Sequence, residues 1–317
     1  MGKYLYNLNC AKGEEQLFDL EIRALFGQSP KKKQLESDLR VSAHRSVFIK
    51  ERLEILFEAE TFEGLVEPTK NAGLNFETFK CLWLKYPNQS FAYRERLAAM
   101  KELCQHIGGE ADMVGPKQLL GLTEYEGRWL FGKLAPNENS WVTHENKPHS
   151  YSFSLSVRVS RAIANIAVGH DTSKKIIDPC CGVGTVVLET LAVGGNMVGN
   201  ELNPRVAEKA RENIKHFGYE PQISTGDIQD IKETYDTAII DLPYGHFNPI
   251  SPEVQQMILN EAGRIAPNLI LVTHVDMERE LQLAGFKVKE QCPVRKANFI
   301  RYITLCEQES QSEKRRA

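Results

Sequence analysis

The chain has 317 residues, of which 42% are hydrophobic and 26% charged, a composition that suits a globular protein of about two domains and excludes a disordered or fibrous one. Thirty-nine Lys and Arg stand against 42 Asp and Glu, with 20 against 21 before residue 148 and 19 against 21 after it, so any nucleic-acid footprint must be local. No run is long enough to span a bilayer, the start Met-Gly-Lys-Tyr-Leu-Tyr has no signal-peptide pattern, and cysteines 10, 81, 104, 180, 181, 292 and 306 include no Cys-x-x-Cys pair, so a cytoplasmic protein without disulfides or zinc is expected.

In chain order, Lys3-Tyr-Leu-Tyr-Asn-Leu8 alternates like a strand, Glu14 to Phe26 is amphipathic at helical spacing, and Ser46 to Phe57 mixes the two periods. Lys31-Lys-Lys33, after Gln28-Ser-Pro30, reads as an exposed loop with a solvated charge run. Asn75 to Lys85 reads as a strand, Ala92 to His106 as a helix and Gly127 to Gly132 as another strand, so residues 1–140 are expected to form a small α+β domain. The polar stretch Ala135-Pro-Asn-Glu-Asn-Ser140 is the expected linker. A helix from about Val157 to Val168 then precedes strands near 175–179, 196–200, 222–225, 236–241, 268–273, 285–291 and 299–306, the last two joined as an antiparallel hairpin. Residues 307–317, which end in Lys314-Arg-Arg-Ala, are expected to be a disordered tail.

Four of these strand ends carry chemistry. Ile176 and Ile177 lead into Asp178-Pro-Cys-Cys-Gly-Val-Gly-Thr185, where Gly182 and Gly184 allow a tight turn and close backbone approach to a ligand. Thr185 opens a helix whose N-terminus favours an anionic group. Asn196 to Glu201 is a second strand ending in an acid 23 residues after Asp178, one strand-helix-strand unit, and its carboxylate can accept from both ribose hydroxyls. Gln222 to Asp227 is a third, with Asp227 placed for an adenine amine and Ile228 as apolar neighbour of the ring. Tyr235 to Asp241 is a fourth, delivering Asp241-Leu-Pro-Tyr244 to the carboxyl edge, where open parallel sheets bind ligands. Singly, a Gly-x-Gly turn or a strand-end acid is as readily an ordinary turn or helix cap, whereas jointly, at these spacings, the pieces corroborate one another. A nicotinamide-binding site fits less well, because Val187 stands where the third glycine is needed.

With these motifs, residues 148–306 resemble a class I S-adenosylmethionine-dependent methyltransferase of the kind that modifies exocyclic amines. Asp-Pro-Cys-Cys-Gly-Val-Gly-Thr is similar to that family's Asp-Pro-Phe-Cys-Gly-Ser-Gly-Thr loop, and Asp241-Leu-Pro-Tyr244 to its Asp-Pro-Pro-Tyr motif, Leu242 replacing the commoner proline. Val114-Gly-Pro-Lys-Gln-Leu-Leu-Gly-Leu122 and Gly127-Arg-Trp-Leu-Phe-Gly132 resemble the N-terminal and THUMP RNA-binding region of tRNA guanine-N2 methyltransferases. The resemblance implies an α/β fold, a Rossmann-like seven-stranded methyltransferase sheet preceded by an α+β, THUMP-like domain. It implies S-adenosyl-L-methionine as cofactor, against Asp178, Cys180, Gly182, Gly184, Thr185, Glu201, Leu202, Asp227 and Ile228, with Ser154 in the bridge that closes over the methionine end.

The catalytic residues it implies are Asp241, Leu242, Pro243 and Tyr244. An exocyclic amine is a poor nucleophile because its lone pair is delocalised into the ring. The Asp241 carboxylate and a backbone carbonyl of Leu242 or Pro243 can accept from it, while Tyr244 stacks on the base. Arg295 and Lys296, ahead of the final strand, are the substrate-binding candidates, and His149 and His246 read as surface histidines. The expected substrate is RNA, above all guanine N2 in tRNA. A DNA adenine-N6 or cytosine-N4 methyltransferase shares the same loop and turn, and a catalytically silent cofactor- or RNA-binding module is the reading from a different class.

Overall fold

The computed structural model describes residues 2–86, 89–151, 154–242, 251–296 and 299–309. The chain divides into two compact units. Met1–Asn9, Pro30–His44 and Phe48–Glu138 make the first, and Cys10–Ser29, Arg45–Val47 and Asn139–Ala317 the second. The expected single stretch 1–140 thus leaves the first unit twice.

In the first unit, β1 (Lys3–Leu8) is followed, after α1 (Glu15–Phe26) of the second unit, by β2 (Gln34–Ser37), β3 (Ile49–Ala59), α2 (Phe62–Asn71), β4 (Asn75–Trp83), α3 (Tyr93–Cys104), β5 (Gly108–Ala111), β6 (Gln118–Tyr125) and β7 (Arg128–Pro136). The strands form one sheet in the order β2-β1-β3-β7-β6-β4-β5. Pairing is antiparallel except where β4 meets β5 and β6, and α3 provides the crossover that the parallel β4–β5 pair requires. Leu65 of α2 and Ala99 and Leu103 of α3 pack on Phe79, Leu120, Leu122 and Phe131 of the sheet. Between β3 and β7 the register shifts at a bulge, and Gly132 accommodates it. A Cβ there would lie 1.8 Å from the Glu54 carbonyl oxygen. The three lysines predicted as a loop form a tight reversal instead. Lys31 and Gln34 exchange both backbone hydrogen bonds at 2.9 Å across Lys32 and Lys33, which adopt left-handed φ of 46° and 67°.

The second unit holds α4 (Val157–Val168), β8 (Lys175–Asp178), α5 (Thr185–Ala192), β9 (Asn196–Glu201), α6 (Pro204–His216), β10 (Ile223–Thr225), β11 (Thr237–Asp241), α7 (Pro252–Ile265), β12 (Asn268–Thr273), α8 (Glu278–Leu283), β13 (Phe286–Lys296) and β14 (Phe299–Gln308). The sheet order is β10-β9-β8-β11-β12-β14-β13, parallel through β12, with β14 antiparallel to both β12 and β13. This is the expected seven-stranded sheet with a terminal hairpin, although β14 runs two residues past 306 into the expected tail. Successive strands are added to one side from β8 to β10 and to the other from β11 to β12, so the space between β8 and β11 is the switch point, outside whose carboxyl ends open α/β sheets bind ligands. Ile177, Ala238, Ile240, Leu259, Leu269, Leu271 and Phe286 are buried in one core cluster beneath α7 and α8. Each such large aliphatic or aromatic side chain contributes roughly 1.5–3 kcal/mol over leaving it exposed.

The placement of α1 has a physical cause. Its buried face, Leu17, Leu20, Ile22, Leu25 and Phe26, carries a fully buried carboxyl at Glu21. Glu21 Oε1 accepts from Asn165 Nδ2 of α4 at 2.6 Å, and Asn165 Oδ1 accepts from Arg45 Nε at 3.0 Å. Arg158 of α4 forks onto Glu14, with Nε and Nη2 2.9 and 2.8 Å from Oε2. Arg23 reaches Glu290 of β13 at 2.5 Å. Asn165, Arg158 and Glu290, the partners of α1 named here, all belong to the second unit. Among the described residues no helix is long and apolar enough to cross a membrane.

Candidate active site

The turn after β8 is shaped by its two left-handed glycines, Gly182 (φ 55°) and Gly184 (φ 77°). Gly184 caps the N-terminus of α5, and a Cβ there would come within 3.2 Å of Ala210 Cβ on α6. Gly182 has nothing within 4 Å of a built Cβ, so its backbone is open to a close-lying ligand. Its N–H donates to Glu201 Oε2 at 2.9 Å, while Asn203 N–H donates to Oε1 at 2.9 Å. Each carboxylate oxygen keeps a second lone pair for a hydroxyl. Thr185 Oγ1, buried at the first turn of α5, has no partner among the described residues.

The other strand ends face the same place. After β10, Asp227 caps a short 3-10 turn through its side chain, which accepts from Gln229 N–H at 2.9 Å, while Ile228 is buried. At the end of β11, Asp241 is half-buried and its Oδ1 has no partner among the described residues. Leu242 N–H donates to Val272 O at 3.1 Å, which extends the β11–β12 ladder by one residue and carries the Leu242 side chain into the core.

The charges at these ends act on one another. Burial pushes the Asp178 carboxyl up to about 8, with the charges of Asp241 and Glu201 adding to the effect. Burial also raises Asp241 to about 7, against the pull of the Arg301 guanidinium. The Cys180 thiol is pushed up by burial and by the charges of Asp178, Glu201 and Asp227. An acidic, partly desolvated crevice of this kind favours a ligand bearing positive charge. A sulfonium nucleoside fits it on three observations: an open glycine backbone at Gly182, a carboxylate with free lone pairs at Glu201, and an orphaned buried hydroxyl at Thr185.

Asp178, Cys180, Gly182, Gly184, Thr185, Glu201, Leu202, Asp227, Ile228, Asp241 and Leu242 thus all lie at or just beyond the carboxyl ends of β8 to β11, with Leu202 67% exposed. Ser154 is half-buried in the strap before α4, where its N–H donates to Tyr151 O at 3.0 Å. Arg295 is exposed on β13, and its N–H donates to Gly13 O at 3.3 Å. Lys296 lies at the end of β13, its side chain outside the described residues, as are Pro243, Tyr244, His246 and Lys314 to Arg316. His149 contacts Glu212.

Two buried asparagines at this site are not singled out by the sequence reading. Asn200 precedes Glu201, and Asn213 of α6 donates from Nδ2 to His149 O and Val183 O at 2.9 Å each. Each carries a sequence signal nonetheless. Asn200 is an amide inside a strand, and Asn213 continues the apolar spacing of Ala207 and Ala210.

A family model matches residues 145–291, the RMKL-like methyltransferase domain. Among curated proteins, the chain is 25% identical over 187 residues to the tRNA (guanine(10)-N2)-dimethyltransferase of Methanothermobacter thermautotrophicus, covering 51% of this chain and 54% of that one. It is 27% identical over 107 residues to the enzyme of the same name from Pyrococcus abyssi, covering 32% of each. The chain therefore matches about half the length, or less, of these curated relatives. Among solved structures, TrmN from Thermus thermophilus is similar with a TM-score of 0.49 and 15% identity, covering 97% of this chain and 100% of that one.

Proposed function

We propose that this chain is an S-adenosyl-L-methionine-dependent methyltransferase that modifies an exocyclic amine of a nucleobase in RNA, with guanine N2 of tRNA as its target. The observation that carries the reading is Asp241. It is a half-buried carboxyl with a buried oxygen that has no partner among the described residues, close enough to Asp178 for the two charges to interact, at the switch point of a methyltransferase domain. The names of the curated relatives support tRNA and the guanine amine as substrate.

When bound, the cofactor supplies an electrophilic methyl group on a sulfonium. The Gly182–Gly184 turn lets backbone approach it, Glu201 accepts from its ribose hydroxyls, Thr185 offers a hydroxyl, Asp227 accepts from its adenine amine with Ile228 against the ring, and Leu202 and Cys180 contact it. Asp178 holds the turn in shape through its 3.1 Å bond from Cys180 N–H. Asp241 accepts a hydrogen bond from the substrate amine and draws its nitrogen toward a tetrahedral geometry in which the lone pair is free to attack. Tyr244, after Pro243, is assigned to stack on the base. Positioning of this kind contributes up to about 7–11 kcal/mol when the reactants are well aligned. Ser154 acts at the methionine end.

The α+β region within residues 1–140 selects the RNA as a THUMP-like module, Arg295 and Lys296 contact its backbone, and the protein works in the cytoplasm. One experiment tests the reading. The protein is incubated with methyl-labelled cofactor and separate pools of tRNA, rRNA and DNA, and the labelled nucleoside is identified after digestion. N2-methylated guanosine from tRNA is the expected product. Label confined to DNA would overturn the RNA assignment, and label in no pool would overturn the enzyme assignment.

A further inference from the structure

Asn200 is buried, 3% exposed, inside β9. All its side-chain hydrogen-bonding groups are engaged. Nδ2 donates to Pro179 O at 3.2 Å and to Gly226 O at 2.9 Å, and Oδ1 accepts from Ser224 Oγ at 2.8 Å. Its backbone oxygen also accepts from Cys181 N–H at 2.9 Å. Pro179 and Cys181 belong to the turn after β8. Ser224 lies on β10 and Gly226 immediately precedes Asp227. One side chain thus spans two loops that share no strand pairing, since β9 lies between β8 and β10.

The chemistry of the bridge admits little else. Two carbonyl oxygens must each receive an N–H, and a serine hydroxyl must be accepted, which an amide satisfies and an ionised carboxylate cannot. Removing the amide takes the donor from the buried Pro179 carbonyl and the half-buried Gly226 carbonyl, at a cost that pulls the loops out of register. We propose that Asn200 is a positioning residue that fixes the spacing between the glycine turn and Asp227, and so sets the preference for adenine in the bound nucleoside. This rests on the cofactor reading given above, in which the turn holds the ribose and amino-acid end and Asp227 the adenine amine.

Asn213 provides the contrast. It bonds Val183 O of the same turn and both backbone groups of His149, and among the described residues none of these hydrogen bonds reaches the β10 loop. A change there loosens the turn without moving Asp227.

The test uses the full-length chain and calorimetric titration with two ligands, S-adenosyl-L-homocysteine and S-inosyl-L-homocysteine, which carries a carbonyl where adenine has its amine. Circular dichroism and thermal unfolding monitor the fold. The native chain is expected to favour the adenosyl ligand by about tenfold, one hydrogen bond's worth of affinity. Asn200→Ala is expected to bring that ratio to within about threefold of unity. Ser224→Ala, at an exposed residue and so gentle on the fold, is expected to lower it by about threefold. Asn213→Ala is expected to weaken both ligands alike and keep the ratio. The proposal is overturned if Ser224→Ala and Asn200→Ala retain the native ratio, or if Asn213→Ala lowers it as far. A native chain that binds both ligands without preference overturns the role of Asp227 and the proposal with it, whereas one that binds neither overturns the cofactor reading itself.

Discussion

Replacing Asp241 by asparagine exchanges one carboxylate oxygen for an amide nitrogen in a site where little else depends on it. Oδ1 has no partner among the described residues, and burial already holds the carboxyl at about 7 against the pull of Arg301, so a neutral amide suits the surroundings and gives up only that attraction. Folding stability at pH 8 is therefore expected to hold or rise slightly. The loss falls on chemistry. A charged acceptor facing the amine is worth about 1.5–3 kcal/mol as a hydrogen bond, and removing one preorganised group aimed at developing charge costs roughly 10²- to 10³-fold in kcat. Initial rates of methyl transfer to tRNA should drop by that factor, while affinity for S-adenosyl-L-homocysteine, which lacks the sulfonium charge, changes by less than about threefold, within the energy of one weak contact. The pH profile carries a second signature. The native rate should fall as pH drops through about 7, because protonation removes the acceptor charge, and the residual rate of Asp241→Asn should show no step there. A variant with native kcat, or one with the native step near pH 7, would refute the role assigned to Asp241.

Three further outcomes are expected. Gly184→Ala places a side chain at φ 77° and 3.2 Å from Ala210 Cβ, so urea unfolding should show a loss of about 1–2 kcal/mol. Glu201→Gln must turn an N–H₂ toward the N–H of Gly182 or Asn203, and calorimetry should show cofactor binding weakened by about 1.5–3 kcal/mol, roughly ten- to a hundredfold. Burial raises the Glu21 carboxyl to about 7, against hydrogen bonds from Ser46 and Asn165 and the charges of Arg158 and Arg161, so its stability contribution is full below the unfolded value of 4.5 and is lost as pH rises through about 7. Unfolding curves of Glu21→Gln should accordingly lose less stability than the native chain between pH 5 and 8.

The second unit is legible in the sequence because its central strands are covered on both faces. Ala238-Ile-Ile240 and Leu269 to Val272 read as continuous apolar runs, and every strand falls within a few residues of its expected place. The first unit is less so. Helix α2 carries Pro68 and hides from a helical pattern, while β5 is Gly108-Gly-Glu-Ala111, exposed throughout at the sheet edge. The three lysines read as a loop because two adjacent non-glycine residues in the left-handed region have no sequence signature. Amphipathic spacing announces α1 as a helix but is silent on which sheet it covers. The one hint is Glu21 on the apolar face, a carboxyl that must find a partner and finds Asn165 of α4, 144 residues on.

At the site, spacing along the chain identifies each strand-end acid, but the way the acids act together is a property of the fold. Asp178 and Asp241 are 63 residues apart in sequence and at the ends of neighbouring parallel strands in the sheet, so the charge of Asp241 adds to the burial that already disfavours ionisation of Asp178. Positive charge introduced between them relieves both penalties at once. On the proposed reading that charge is the sulfonium, and the acidity of the crevice answers the even charge balance of the chain. On the same reading, the cations for an RNA backbone belong on other surfaces, and Arg295 is exposed on β13. It follows that a neutral homocysteine ligand relieves less of the penalty than the sulfonium does. The advantage of S-adenosylmethionine over its demethylated product should therefore widen as pH rises through about 7–8 and the two carboxyls ionise. A constant affinity ratio from pH 6 to 9 in calorimetric titrations would mean that these acids do not sense the methyl-bearing centre, and that the site holds the cofactor by shape alone.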